Sequence, residues 1–330
     1  MTMLRFAILA VLLVGCVRMP FNDCQRCDVV CSEDVSLDNL NDPILDCLLD
    51  RAWEQNLDLK IARLMNKCVE DEWRKVSSDI AKQYIELRGL QERLKILQNN
   101  IDAQTKGLQL VEGLLSRGIR TEFDLSQIEG NRQALNAQNP LIELEITKTL
   151  QRLAILVGDE EELCVEGGLP MLPTGESIAI QSELLRRRPD VRKAEKDLVA
   201  ALGRRAVCFP QFCLTGNPEE VLFPTFCVEK ASRTQRLAIY AYQKTVLEAI
   251  EEVENALATY RSEWKRNASL AEAYQTSKKS LELIDQLSDR GLKDYLDELA
   301  ISRSLFADEE ALLESRIALL LDYVALYASL

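Results

Sequence analysis

The sequence predicts a mainly α-helical protein: two tandem antiparallel coiled-coil hairpins, an internal duplication, with at most one short β-hairpin beside them. Three observations predict it. Apolar residues recur every seven positions along four long stretches, a glycine-centred turn separates the stretches in pairs, and the second half repeats the tip of the first. Composition agrees, since 13 Gly and 9 Pro in 330 residues leave room for long elements and few turns.

Residues 1–15 read as a leader. Arg5 precedes an apolar run from Phe6 to Val14, too short to span a bilayer but suited to the core of a secretory signal. Leu13-Val14-Gly15-Cys16 then looks like a bacterial lipobox, with cleavage before Cys16 and acylation of that cysteine. Several acyl chains on one residue would anchor the protein firmly.

Residues 16–50 form a Cys-rich segment. Cys24, Cys27 and Cys31 give C-x-x-C-x-x-x-C, followed by Cys47 and Cys68. These thiols read either as zinc ligands or as disulfide partners. No histidine and no second C-x-x-C at zinc spacing accompany them, so disulfides within or between chains are the expectation in an exported protein, with one of the nine cysteines other than Cys16 left free or intermolecular, and no metal.

The first hairpin repeat occupies residues 51–165. From Val76 onward Ile80, Leu87, Leu94, Ile101, Leu108 and Leu115 are spaced by seven, with Leu90, Leu97 and Val111 as a second apolar position. A second run follows Asp124, carrying Ile128, Leu135, Ile142 and Leu156, with Ile146 and Leu153 beside them. Between the runs, Gly118 in Ser116-Arg117-Gly118-Ile119-Arg120 suits a left-handed turn that reverses the chain. Pro140 is expected to kink the returning helix.

A linker follows at 166–182, broken by Gly167-Gly168-Leu169-Pro170 and Leu172-Pro173-Thr174-Gly175. The second repeat, 183–330, restarts helix at Pro189-Asp190. Arg117 to Asp124 aligns with Arg290 to Asp297 at an offset of 173, and the same offset places Ile80 on Val253, Leu87 on Tyr260 and Arg88 on Arg261. Leu305, Leu312, Leu319 and Leu326 then run at seven. The front ends match at a smaller offset, 132, which sets Asn56-Leu57-Asp58-Leu59 on Arg188-Pro189-Asp190-Val191. The second copy thus carries 41 extra residues. They include two short aromatic and β-branched runs within 208–229, around Gly216-Asn217-Pro218, read as a β remnant.

Charge and residue types exclude whole classes of function. A net charge of −13 leaves no electrostatic footprint for nucleic acid, and the absence of histidine removes imidazole ligands and the commonest general base. Cys208 and Cys213 have no base beside them in sequence, so no enzyme and no cofactor are expected.

The blocks QYIELRGLQERL, RLAILVG, SELLRRRPDV, CFPQFCLTG, YQKTVLEAIEEVENALATYR, ISRSLF and DYVALYASL occur in this order across residues 45–330. Together they resemble the outer-membrane factor family, the TolC/OprM-like exit ducts of tripartite efflux systems, in a shortened and divergent form. The resemblance implies a homotrimeric helical tunnel in the periplasm, lipid-anchored at the outer membrane, working with a periplasmic adaptor and an inner-membrane pump. It implies tip and adaptor contacts at Arg117, Gly118, Ile119, Arg290, Gly291 and Leu292, and a gate arginine at Arg303. The tyrosine and aspartate that the family pairs with that arginine are absent; Leu287-Ser288 and Leu299-Ala300 stand in their places. Two functions follow from the resemblance: a passive exit duct or docking subunit, or a non-conducting scaffolding lipoprotein of the same descent. A spanning strand needs about 9 to 11 residues, and the proline-interrupted runs at 208–229 fall short, so a complete barrel from this chain alone is not expected.

Overall fold

The computed structural model describes residues 35–65, 67–158, 167–171, 188–202, 232–289 and 295–329. The chain divides into two units, 1–33 and 34–330, and every described residue lies in the second. Cys16 and the runs at 208–229 therefore lie outside the described residues. Among those described there is no strand.

A 3₁₀ turn at Leu37–Leu40 leads into α1 (Pro43–Gln55) and α2 (Leu57–Leu64), and the start of each is encoded locally. The Asp42 carboxylate accepts from the amides of Ile44 and Leu45, and Pro43 sits in the first turn, where its missing N–H costs nothing. Asn56 caps α2 by accepting from the Leu59 amide at 3.0 Å. Its own amide donates to the carbonyl of Leu156 at 2.6 Å, so a residue only 2% exposed is satisfied on both sides. α1 runs through residue 50, so the edge drawn there between segment and repeat falls inside a helix.

α3 (Val69–Ser116) is 48 residues long. Its end is a Schellman turn: the Ile119 amide donates to Leu114 and the Gly118 amide to Leu115, with Gly118 left-handed at φ 71°. Thr121 then opens the return helix with a capping box, its hydroxyl accepting from the Asp124 amide while the Asp124 carboxylate accepts from the Thr121 amide. Pro140 does more than kink this helix. It divides it into α4 (Glu122–Asn136) and α5 (Asn139–Val157), because proline supplies no N–H to the ladder. Tight bonds from Gln138 to Leu135 and from Leu141 to Gln138 carry the rod across the break.

The second repeat supplies α6 (Pro189–Leu202), α7 (Arg233–Asp289) and α8 (Tyr295–Ser329). α3 and α7 end 173 residues apart, and so α4 and α8 begin; α2 and α6 begin 132 apart. These are the two offsets read from the sequence. At 57 residues α7 is about 85 Å long at 1.5 Å per residue.

The helices lie side by side in the order α6, α7, α8, α3, then α4 with α5, while α1 packs on α3 and α5, and α2 on α3. The main core sits at the end remote from Gly118, where Ile80, Tyr84, Leu87, Leu153, Tyr260 and Tyr323 are fully buried. Heptad positions nearer the tip, Leu94, Ile101 and Leu108, are only half-buried. A small second cluster of Val111, Ile128 and Leu299 closes the core towards the tip. Among the described residues no helix is long and apolar enough to cross a membrane.

Candidate functional site

The features that bear on function gather at the tip end. Arg117, Gly118 and Ile119 form the turn of the first hairpin, and the backbone bonds that close the turn push the side chains outward. Ile119 is 63% exposed and Phe123, at the start of α4, 74%. Two large apolar side chains thus stand in water at this end, with exposed Arg117 beside them. Arg290, Gly291 and Leu292 lie outside the described residues; α7 ends at Asp289 and α8 begins at Tyr295.

Arg303 lies in the third turn of α8, exposed. Its Nε donates to the carbonyl of Leu299, one turn back, at 3.3 Å, and among the described residues it makes no ion pair.

Between the hairpins runs a groove that no sequence pattern announces. Ala103 and Lys106 of α3, Asp285 of α7, and Glu298, Leu299 and Ser302 of α8 line about 320 Å³. Its lining is charged at the rim and apolar at the floor. Glu282 and Asp285, three apart on a helix, look like an ordinary solvated face; only the packing of three helices makes them a wall.

Polar cross-links hold the second hairpin closed below the groove. Ser277 donates to Asp308, and buried Ser315 donates to Glu263 at 2.6 Å while accepting from Asn267 at 3.3 Å. Burial pushes the Glu309 carboxyl above its usual range, and burial with the Glu263 charge does the same for Asp322. At the opposite end, Arg88 is 1% exposed and donates to the Tyr84 hydroxyl at 3.0 Å, which donates to the Asp42 carboxylate at 2.6 Å. Burial, then the carboxylate, raises the Tyr84 pKa. Arg261, the equivalent of Arg88 in the second repeat, is exposed.

Cys47 and Cys68 are exposed thiols that form no disulfide within the chain. The other cysteines lie outside the described residues. Among the described residues no three His, Cys, Asp or Glu side chains come together as a metal site.

No family model matches the chain. Curated relatives do. It is 24% identical over 272 residues to nodulation protein T of Rhizobium leguminosarum bv. trifolii, covering 71% of this chain and 58% of that protein. It is 27% identical over 286 residues to the pyoverdine export outer membrane protein OpmQ of Pseudomonas aeruginosa, covering 77% and 60%. It is 25% identical over 287 residues to the solvent efflux pump outer membrane protein SrpC of Pseudomonas putida, covering 76% and 61%. The chain thus spans about three-fifths of the length of these relatives. Among solved structures the outer-membrane channel OprN superposes with a TM-score of 0.70 at 21% identity, over 95% of this chain and 97% of that one. CusC superposes at 0.68 and 19%, over 87% and 95%. The fold is that of these helical-hairpin channels.

Proposed function

We propose, from the premise that this chain is a shortened and divergent relative of outer-membrane efflux proteins, that it serves as a passive exit duct or docking subunit of a tripartite export system. Transport would be powered by a partner pump, and the chain itself would do no chemistry. The carrying observation is the pair of long hairpins in one row, with exposed Ile119 and Phe123 at a tip suited to a periplasmic adaptor.

Assembly into a trimer is part of the proposal. At one end of the row Leu141, Leu144 and Ile155 are exposed on α5; towards the other end, beside α6, Leu237, Tyr240 and Leu247 are exposed on α7. Two different apolar faces would make a head-to-tail contact, the kind that closes a ring. The half-buried heptad leucines near the tip support the same reading. Acylation of Cys16 would hold the ring at the outer membrane with its hairpins in the periplasm.

One observation favours the second reading, a scaffold that does not conduct alone. In the first repeat only residues 65–68 separate α2 from α3, far fewer than a pair of spanning strands needs, at about 9 to 11 residues each. An open sheet edge in hydrocarbon would leave backbone groups unsatisfied. Planar-bilayer recording of the purified protein separates the readings. Silence alone and currents only with a second envelope protein are expected; reproducible channels from this chain alone would return it to an ordinary duct.

A further inference from the structure

The groove between the hairpins brings an unused hydroxyl together with unused carboxylates. Ser302 of α8 lines it and is only 9% exposed, yet its hydroxyl has no hydrogen-bond partner among the described residues. A hydroxyl inside a helix ordinarily turns back onto the carbonyl four residues earlier, as Ser269, Thr276 and Ser280 do on α7. Ser302 forgoes that bond. Since buried polar groups are as a rule paired, this one is available to a molecule in the groove. From α7 the lining takes Glu282 and Asp285, three apart and so on one face. Both are exposed, and their side chains make no hydrogen bond or ion pair among the described residues.

The charge balance and the floor together name the occupant. Three carboxylates, Glu282, Asp285 and Glu298, stand in the lining with one ammonium, Lys106. Glu298 already has a partner within the chain, and Lys106 pairs with neither of the other two, so two free carboxylates face one free cation. Within one turn of the lining on the same three helices the described charges cancel, Asp102, Asp289 and Asp297 against Lys278, Lys279 and Arg303. The negative surplus therefore belongs to the groove itself. Ala103, Leu281 and Leu299 give an apolar floor, for which a hydrated metal ion has no use, and the acids do not come together as a metal site. The volume of about 320 Å³ is that of roughly ten waters, at the lower end for ligand pockets. We infer that the groove binds a small organic cation. A protonated amine lies between Glu282 and Asp285 and donates to the Ser302 oxygen, and its apolar body covers Leu281 and Leu299.

This site rests on neither the duct reading nor trimer assembly, and its test uses the purified full chain in detergent. Calorimetric titrations compare 2-phenylethylammonium with its neutral isostere 2-phenylethanol and with the anion phenylacetate, each against a matching detergent blank. The ammonium is expected to saturate one site per chain about tenfold more tightly than the alcohol, the margin of a charge-assisted over a neutral hydrogen bond, with phenylacetate unbound. Glu282→Gln combined with Asp285→Asn should bring the ammonium down to the affinity of the alcohol. Lys106→Gln removes the competing cation and should tighten the ammonium about twofold. Ser302→Ala should weaken it about threefold at an unchanged unfolding midpoint, because the hydroxyl holds nothing in the fold. Equal affinity for ammonium and alcohol, or an acid-less variant that binds like the wild type, overturns the inference. So does the absence of binding, or a heat that never saturates and that the blank reproduces.

Discussion

Two buried tyrosines show how much one hydrogen bond decides. Tyr84 accepts from Arg88 and donates to Asp42, whereas the Tyr260 hydroxyl is buried with no partner among the described residues. Tyr84→Phe removes a bridge and leaves two charged groups short of a contact, so it should cost about 1 to 3 kcal/mol in urea unfolding. Tyr260→Phe removes only a desolvated hydroxyl and should be neutral or slightly stabilising. Burial, then the neighbouring Tyr323, pushes the Tyr260 pKa up to about 12. A folded pKa above the unfolded value of 10.0 means that this stability is whole below pH 10 and is lost as pH rises towards 12. Wild-type stability should therefore fall over that interval, and less steeply in Tyr260→Phe; identical slopes would contradict the assignment. None of this was legible in sequence. The 173 offset pairs Arg88 with Arg261 as equals, yet one is the largest fully buried side chain and the other lies in water, because the linker residue Gly167 packs against Arg88.

Helix ends were easier to read than helix middles. Gly118 reads as the turn because glycine takes a left-handed φ at no steric cost; the structure sets it at φ 71°, and Gly118→Val should cost about 1 to 2 kcal/mol with little change in helix content. Pro140 reads as a disturbance, but whether a proline bends or divides a helix depends on how neighbours satisfy the freed carbonyl, which spacing does not reveal. The groove was not legible at all, since its acids and its floor come from α3, α7 and α8. The joint between hairpins, α3 against α8, rests on a close approach: a Cβ on Gly89 would meet Ile317 within contact distance. Gly89→Leu should destabilise by about 1 to 3 kcal/mol through overpacking. Adding Ile317→Ala should recover part of that loss; a strictly additive double mutant would mean that the two helices do not meet there.

At the scale of the whole molecule, the hairpins and their duplication were legible because heptads, tip glycines and two offsets are properties of one chain. What lies beyond the chain is legible only as surplus: apolar residues at seven-residue spacing that the fold leaves half-covered at Leu94, Ile101 and Leu108, and others outside that spacing, such as Leu141 and Leu237, that it leaves bare. A leucine moved from water to a dry interface contributes about 1.5 to 3 kcal/mol, so a few such residues on each edge suffice to favour assembly. The anchor is separable from this: a labelled fatty acid should mark the wild-type chain and not Cys16→Ala, and equal labelling of both would remove lipidation from the account. Assembly itself is tested most directly by the native mass of the detergent-extracted protein, from sedimentation or light scattering corrected for bound detergent. Three chains per particle are predicted; a stable monomer at micromolar concentration would contradict the tunnel and the docking surface that depends on it.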